Sequence, residues 1–122
     1  MRPLHISGVD DMSGTEFEHF IAKLLRKQGY QVQEIGGFED YGIDLIASRG
    51  EQKYAVQAKR WSSEVGVDAV RAAVTGVKYH GCTKAVVITN NYFSQRAIAL
   101  ADVNDCKLIN RDELASEIRK AA

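Results

Sequence analysis

At 122 residues the chain is long enough for one domain and short for two. Apolar residues at 45% and charged residues at 26% predict an ordinary folded core, and no apolar run reaches the roughly 18 residues a membrane span needs. The formal charge of zero argues against a uniformly basic nucleic-acid binder. Residues 1–48, however, carry four Lys/Arg against eight Asp/Glu, and residues 49–96 carry eight against three, so the middle is net +5 (eight minus three).

Residues 1–12 predict an irregular lead-in to a single domain over 13–122. The opening MRPLHISGVDDMSG lacks the basic-then-apolar pattern of a signal peptide, which fits a cytoplasmic protein. Ser13-Gly14-Thr15-Glu16 reads as a capping box, with Thr15 and Glu18 as a second candidate. The stripe Phe17, Phe20, Ile21, Leu24, Leu25 marks an amphipathic helix that Gly29 terminates. Residues 30–35 alternate as a strand, followed by a Gly36-Gly37 loop that turns acidic at Glu39-Asp40. Residues 42–48 and 53–59 form two further strands joined by a turn at 49–52, a β-hairpin. Val67, Val70, Val74 and Val77 recur at helical spacing, and the apolar run at 84–89 reads as a strand buried on both faces. Ser94 caps a helix to about Val103 with Ala97, Ile98 and Ala101 inward, before a strand at 107–109 and a helix at 111–120. The order α-β-β-β-α-β-α-β-α predicts an α/β fold, a mixed sheet flanked by helices.

The hairpin carries the chemistry. Strand alternation places Ile43, Leu45 and Ala47 on one face and Asp44, Ile46 and Ser48 on the other. If Ser48 opposes Lys53, counting back sets Asp44 opposite Gln57, and opposed residues bring their Cβ atoms to about 5 Å. Asp44, Gln57 and Lys59 then converge. A carboxylate and an amide oxygen are hard ligands of the kind Mg²⁺ accepts, and the Ala58 backbone carbonyl can add another. Lys59 is placed to orient an attacking water on a phosphodiester. Spacing alone leaves a solubilising surface hairpin equally open.

The set formed by Glu18, Gly42-Ile43-Asp44-Leu45 and Gln57-Ala58-Lys59-Arg60 resembles the catalytic core of the Mrr-type restriction endonucleases, within the PD-(D/E)xK nuclease superfamily. The likeness extends through Gly29-Tyr30-Gln31-Val32, Val86-Val87-Ile88-Thr89, Phe93-Ser94, Ala97 and Leu108-Ile109 to Leu114, roughly residues 13–118. The resemblance implies a restriction-endonuclease-like α/β fold and a Mg²⁺-dependent DNA endonuclease, with Mn²⁺ able to substitute. It implies Asp44 as principal metal ligand, Lys59 as catalytic lysine and Glu18 as an acidic helper from the first helix. It also implies Gln57 in the place where most of the superfamily has a carboxylate. Gln brings no charge, so metal affinity falls unless Glu18 compensates.

Arg60 and Trp61 are candidate DNA contacts through phosphate and base stacking, and Lys53, Arg71 and Arg96 of the basic middle segment are others. Trp61 serves equally as a cover over the core, and Tyr41 either lines the cleft or closes its loop. His5, His19 and His80 are widely spaced and are assigned to no metal. Cys82 and Cys106 lack metal spacing and read as small buried residues. DNA is the expected partner, with a homodimer and a separate recognition domain or subunit as further expectations, and no membrane. A junction-resolving nuclease and a non-catalytic DNA-binding module on the same fold are the alternatives. A nucleotide-binding domain lacks its GxGxxG or GxxxxGK[ST] loop.

Overall fold

The computed structural model describes residues 5–35 and 42–122. The predicted Gly36-Gly37 and Glu39-Asp40 loop, and Tyr41, lie outside the described residues. The elements run α1 (Ile6–Val9), α2 (Gly14–Lys27), β1 (Gln31–Glu34), β2 (Leu45–Arg49), β3 (Gln52–Lys59), α3 (Val67–Tyr79), β4 (Lys84–Thr89), α4 (Gln95–Val103), β5 (Cys106–Ile109) and α5 (Arg111–Ala121). They form one five-stranded sheet in the order β1-β2-β3-β4-β5. The pairs β1–β2 and β2–β3 are antiparallel, and β3–β4 and β4–β5 are parallel. This is the mixed, helix-flanked sheet expected. β3 is where the two halves meet.

The expected lead-in holds one helical turn, α1, because Val9 is fully buried against the core and ties the segment down. α2 begins as predicted at Ser13: its hydroxyl accepts from the Glu16 N–H at 3.1 Å, and the Glu16 carboxylate accepts from the Ser13 N–H at 2.9 Å. The alternative Thr15–Glu18 box is not used. Gly29 follows the helix with φ +97°, the left-handed conformation that stops it. α5 has a second capping box, Asn110 with Glu113.

Two cores sandwich the sheet. Phe17, Ile21 and Leu24 of α2 and Leu114 and Ile118 of α5 pack with Leu45, Ala47, Val56, Ala58, Val86 and Ile88. Ala69, Val70 and Ala73 of α3 and Ala97 and Ala101 of α4 pack with Ile43, Ile46, Ala55, Ala85 and Val87 on the other side. Each large apolar side chain fully buried this way contributes about 1.5–3 kcal/mol. Both faces of β4 are therefore covered, as its continuous apolar run implied.

Two local expectations are corrected. Ile98 points outward and is 53% exposed. Helix α4 lies against α3 and β5, and the alanine pair Ala97 and Ala101 suffices for that contact, leaving Ile98 on its far flank. The hairpin turn is also tighter than expected. Arg49 pairs with Gln52, so only Gly50 and Glu51 lie between the strands, with Gly50 at φ +61°. The register is nonetheless the expected one, Ser48 opposite Lys53 and Leu45 opposite Val56. Among the described residues no helix is long and apolar enough to cross a membrane.

Candidate active site

Regular pairing ends just before Leu45, and the site begins there. The Asp44 N–H donates to the Val56 carbonyl at 2.9 Å, although Val56 is the register partner of Leu45. The Asp44 carboxylate accepts from the Ala58 N–H at 2.8 Å. Asp44 thereby bonds to the residues on both sides of Gln57. The break also corrects the face assignment. Ile43 packs in the α3-side core with Ile46, not with Leu45 and Ala47, so alternation fails at Asp44. Its carboxylate instead turns toward a backbone donor of the neighbouring strand, in the plane of the sheet.

Gly42 explains how the chain enters this bend. Its φ is +80°, and a Cβ there would lie 2.6 Å from the Cβ of Ala72 on α3. Only glycine permits both the left-handed turn and the approach to the helix.

On β3, Val56 and Ala58 belong to the α2-side core and Ala55 to the α3 side, so alternation sends Gln57 and Lys59 to the α3 side. Gln57 is 5% exposed, and its Oε1 is buried with no hydrogen-bond partner. A buried amide oxygen left unsatisfied costs about 1–3 kcal/mol. An unpartnered amide oxygen one residue before the N–H that holds the Asp44 carboxylate suits a hard cation. Among the described residues no three His, Cys, Asp or Glu side chains cluster as a metal site, so a cation held here takes an amide and backbone oxygen as well as a carboxylate.

Lys59 is half-buried at the end of β3, its ammonium 5.6 Å from the ring centre of Trp61. Its carbonyl accepts from the Thr89 hydroxyl at 2.6 Å. Glu18 is half-buried on α2, next to Phe17, which shares a core with Ala58.

The remaining candidates scatter. Arg60 and Trp61 continue from Lys59. Lys53 lies at the opposite end of β3, where Thr83 binds its backbone, six residues or about 20 Å from Lys59. Arg71 is exposed on α3 and pairs with Asp68 at 3.2 Å, and Arg96 is exposed in the first turn of α4. The thiol of Cys106 is buried, which pushes its pKa up to about 11, and Cys82 is half-buried, its pKa raised by burial. His19 pairs with Glu34.

Sequence reasoning missed the network behind Lys59. The Arg111 guanidinium donates to both Asp10 carboxylate oxygens, at 2.7 and 3.0 Å. Asn90, 3% exposed, donates to Asp10 at 2.9 Å and accepts from the Trp61 N–H at 2.8 Å. Arg60 donates to the Asp10 carbonyl at 3.3 Å. Bonding to Arg111 first, and to Asn90 second, holds the Asp10 carboxyl below the usual carboxylate range. The network joins α1, β3, β4 and α5 and fixes the backbone just beyond the lysine. No spacing signal marks residues this far apart, although the Asn90-Asn91 pair after a central strand does point to the ligand-binding end of an open sheet.

An apolar groove between α2 and α5, lined by Leu24, Tyr54, Val86 and Ile109, opens at the opposite end of the sheet, by Lys84 and Lys107. It holds none of the hairpin's polar groups.

The chain as a whole is similar to known proteins. The Mrr catalytic-domain family, described as restriction endonuclease, matches residues 9–118. The type IV methyl-directed restriction enzyme EcoKMrr of Escherichia coli (strain K12) is 32% identical over 94 residues, covering 70% of this chain and 31% of that protein. The DNA modification-dependent restriction endonuclease AspBHI superposes with a TM-score of 0.74 at 19% identity, covering 95% of this chain and 34% of its own. The MspJI restriction endonuclease, solved with a 27-mer oligonucleotide, gives 0.62 at 21% identity over 93% of this chain and 29% of its own. The chain thus spans about a third of the length of each of these relatives.

Proposed function

The chain belongs to the Mrr-type restriction endonuclease family, and on that premise we propose that it hydrolyses DNA phosphodiester bonds as a Mg²⁺-dependent endonuclease of restriction or defence, with Mn²⁺ as a substitute. The observation that carries the reading is the buried, unpartnered Gln57 Oε1, one residue before the Ala58 N–H that holds the Asp44 carboxylate. Asp44, Gln57 and the Ala58 carbonyl would hold the metal, and Glu18 would add acidic character from α2. A bound divalent ion supplies Lewis-acid polarisation of the phosphoryl group and a more acidic water.

The chain's own residues do the rest. The Ala58 N–H holds the Asp44 carboxylate in one orientation, so the ligand set is organised before substrate arrives. The Lys59 ammonium orients the attacking water and balances charge on the phosphate. The water oxygen forms the new bond to phosphorus as one ester P–O bond breaks, and the departing alkoxide takes up a proton. Arg60, Trp61, Arg71 and Arg96 contact DNA outside this centre, with Lys53 remote from it. Sequence recognition is supplied by a separate domain or subunit, and two copies of the chain cut the two strands of a duplex.

The test is incubation with plasmid, linear, single-stranded and branched DNA in Mg²⁺ and in Mn²⁺. Asp44→Ala and Lys59→Ala each lower cutting by about 100-fold or more while DNA binding persists. If no substrate is cut at any protein concentration, the nuclease reading fails for this chain.

A further inference from the structure

The Asp10–Asn90–Arg111 network roofs one side of a shallow cleft at the ends of β3 and β4, whose other walls are Arg60, Trp61, Asn91 and Tyr92. Trp61 and Tyr92 are 40% and 43% exposed, yet neither backbone is loose. The Asn91 side chain holds both: its Nδ2 donates to the Trp61 carbonyl at 3.3 Å and its Oδ1 accepts from the Tyr92 N–H at 2.8 Å. The Tyr92 carbonyl also accepts from the Val65 N–H at 2.9 Å, and its hydroxyl donates to Asp112 at 2.8 Å. The Tyr92 ring is thus held by its hydroxyl and the Trp61 backbone by Asn91, and both rings are left partly to solvent in the wall of one cleft, where a flat apolar group can be received.

Two guanidinium groups face one carboxylate among the cleft's walls, Arg111 bidentate to Asp10 and Arg60 bonded to the Asp10 carbonyl, which leaves one net positive charge. Cation, aromatic face and amide together match a nucleotide. A paired base in duplex DNA has both faces covered by its neighbours, so exposed rings gain nothing from them. An unpaired base offers a free face.

We infer that this cleft takes one unpaired nucleotide of the strand being cut, its base stacked on Trp61 and Tyr92 and its phosphate beside Arg60 and Arg111. This rests on the nuclease reading above, and Lys59, 5.6 Å from the Trp61 ring, places that nucleotide next to the scissile bond. The preferred substrate is therefore DNA that is single-stranded, bulged or opened at the cut.

Trp61 is the single tryptophan, so its fluorescence reports the cleft directly. The whole chain, kept in a chelator so that nothing is cut, is titrated with a single strand, with a blunt duplex of the same sequence, and with that duplex carrying one extra unpaired base. The single strand and the bulged duplex quench Trp61, while the blunt duplex needs about ten-fold more DNA. Tyr92→Ala weakens quenching about ten-fold, and Tyr92→Phe, which keeps the ring, retains it. Should Tyr92→Ala not fold by circular dichroism, Trp61→Ala followed by the anisotropy of a labelled strand makes the same comparison. Equal quenching by blunt duplex, or unchanged affinity in the alanine variant, overturns the inference. Cutting without any quenching removes the cleft and leaves the nuclease, whereas quenching without cutting removes the nuclease and leaves the cleft.

Discussion

The two ends of β3 are built from similar parts and treated differently. At its start, Thr83 receives the Lys53 N–H on its hydroxyl at 3.0 Å and gives its own N–H to the Lys53 carbonyl at 2.7 Å. At its finish, Thr89 gives its hydroxyl to the Lys59 carbonyl at 2.6 Å. Both ends are thus pinned to β4 by a threonine. Only the far end also leaves polar atoms buried and unpartnered, at Gln57 Oε1 and Arg60 Nε. Buried polar groups are nearly always satisfied, so an end that is pinned yet unsatisfied is one kept ready for something else to bind. The near end is simply a joint.

Removing the Asn90 side chain, just beyond the far end of β3, has the largest expected consequence. Asn90→Ala strips partners from Asp10 and from the Trp61 N–H inside a buried site, and lowers unfolding free energy by about 2–3 kcal/mol. Chemical denaturation reads this, and cutting falls with it because Trp61, two residues beyond Lys59, loses the bond that holds its N–H. An unchanged midpoint would show that the network is ornamental.

Gln57→Leu moves the other way. Replacing an unsatisfied amide by an apolar group of similar size raises metal-free stability by about 1 kcal/mol while abolishing cutting. A thermal melt in chelator checks the first part, and a fall in melting temperature would mean that the amide oxygen is satisfied after all. At the near end, Thr83→Val lowers stability by about 1 kcal/mol and leaves cutting of DNA unchanged. A parallel loss of activity there would erase the contrast between the two ends.

The smallest effect is one of acidity. The Asp10 carboxyl is held below its ordinary value by Arg111, so its contribution is present above that ordinary value and disappears as pH falls through the lowered one. Denaturation midpoints followed from neutral to strongly acid pH show this loss, and Asp10→Asn removes that part of the slope.

Much of this was legible in the residues. The 3.6-residue stripe and the capping signature marked α2, and the valine spacing and apolar run marked α3 and β4 at the observed boundaries. The hairpin register was legible as well, since shortening the turn to Gly50-Glu51 left the opposed pairs from Leu45–Val56 to Ser48–Lys53 unchanged. What escaped was whatever depends on tertiary contact. Ile43 changes sides because Gly42 must fit against Ala72, and no alternating pattern contains that collision. Arg111 read as an ordinary helix start, because Asp10, its bidentate partner, is 101 residues away. Tyr92 gave no signal at all, being only a residue after a strand until Asn91 bonded both its N–H and the Trp61 carbonyl.

The placement of β3 between an antiparallel and a parallel half also sets an order of assembly. The Asp44–Ala58 bond closes a span of 14 residues within a hairpin, a local event for which chain entropy is modest. The Lys59–Thr89 bond and the Asn90 clamp on Trp61 must wait for β4, across spans of 30 and 29 residues and a helix between. During refolding, then, the Asp44–Ala58 contact closes before Trp61 is clamped, so tryptophan emission reports the docking of β4 rather than the closing of the hairpin.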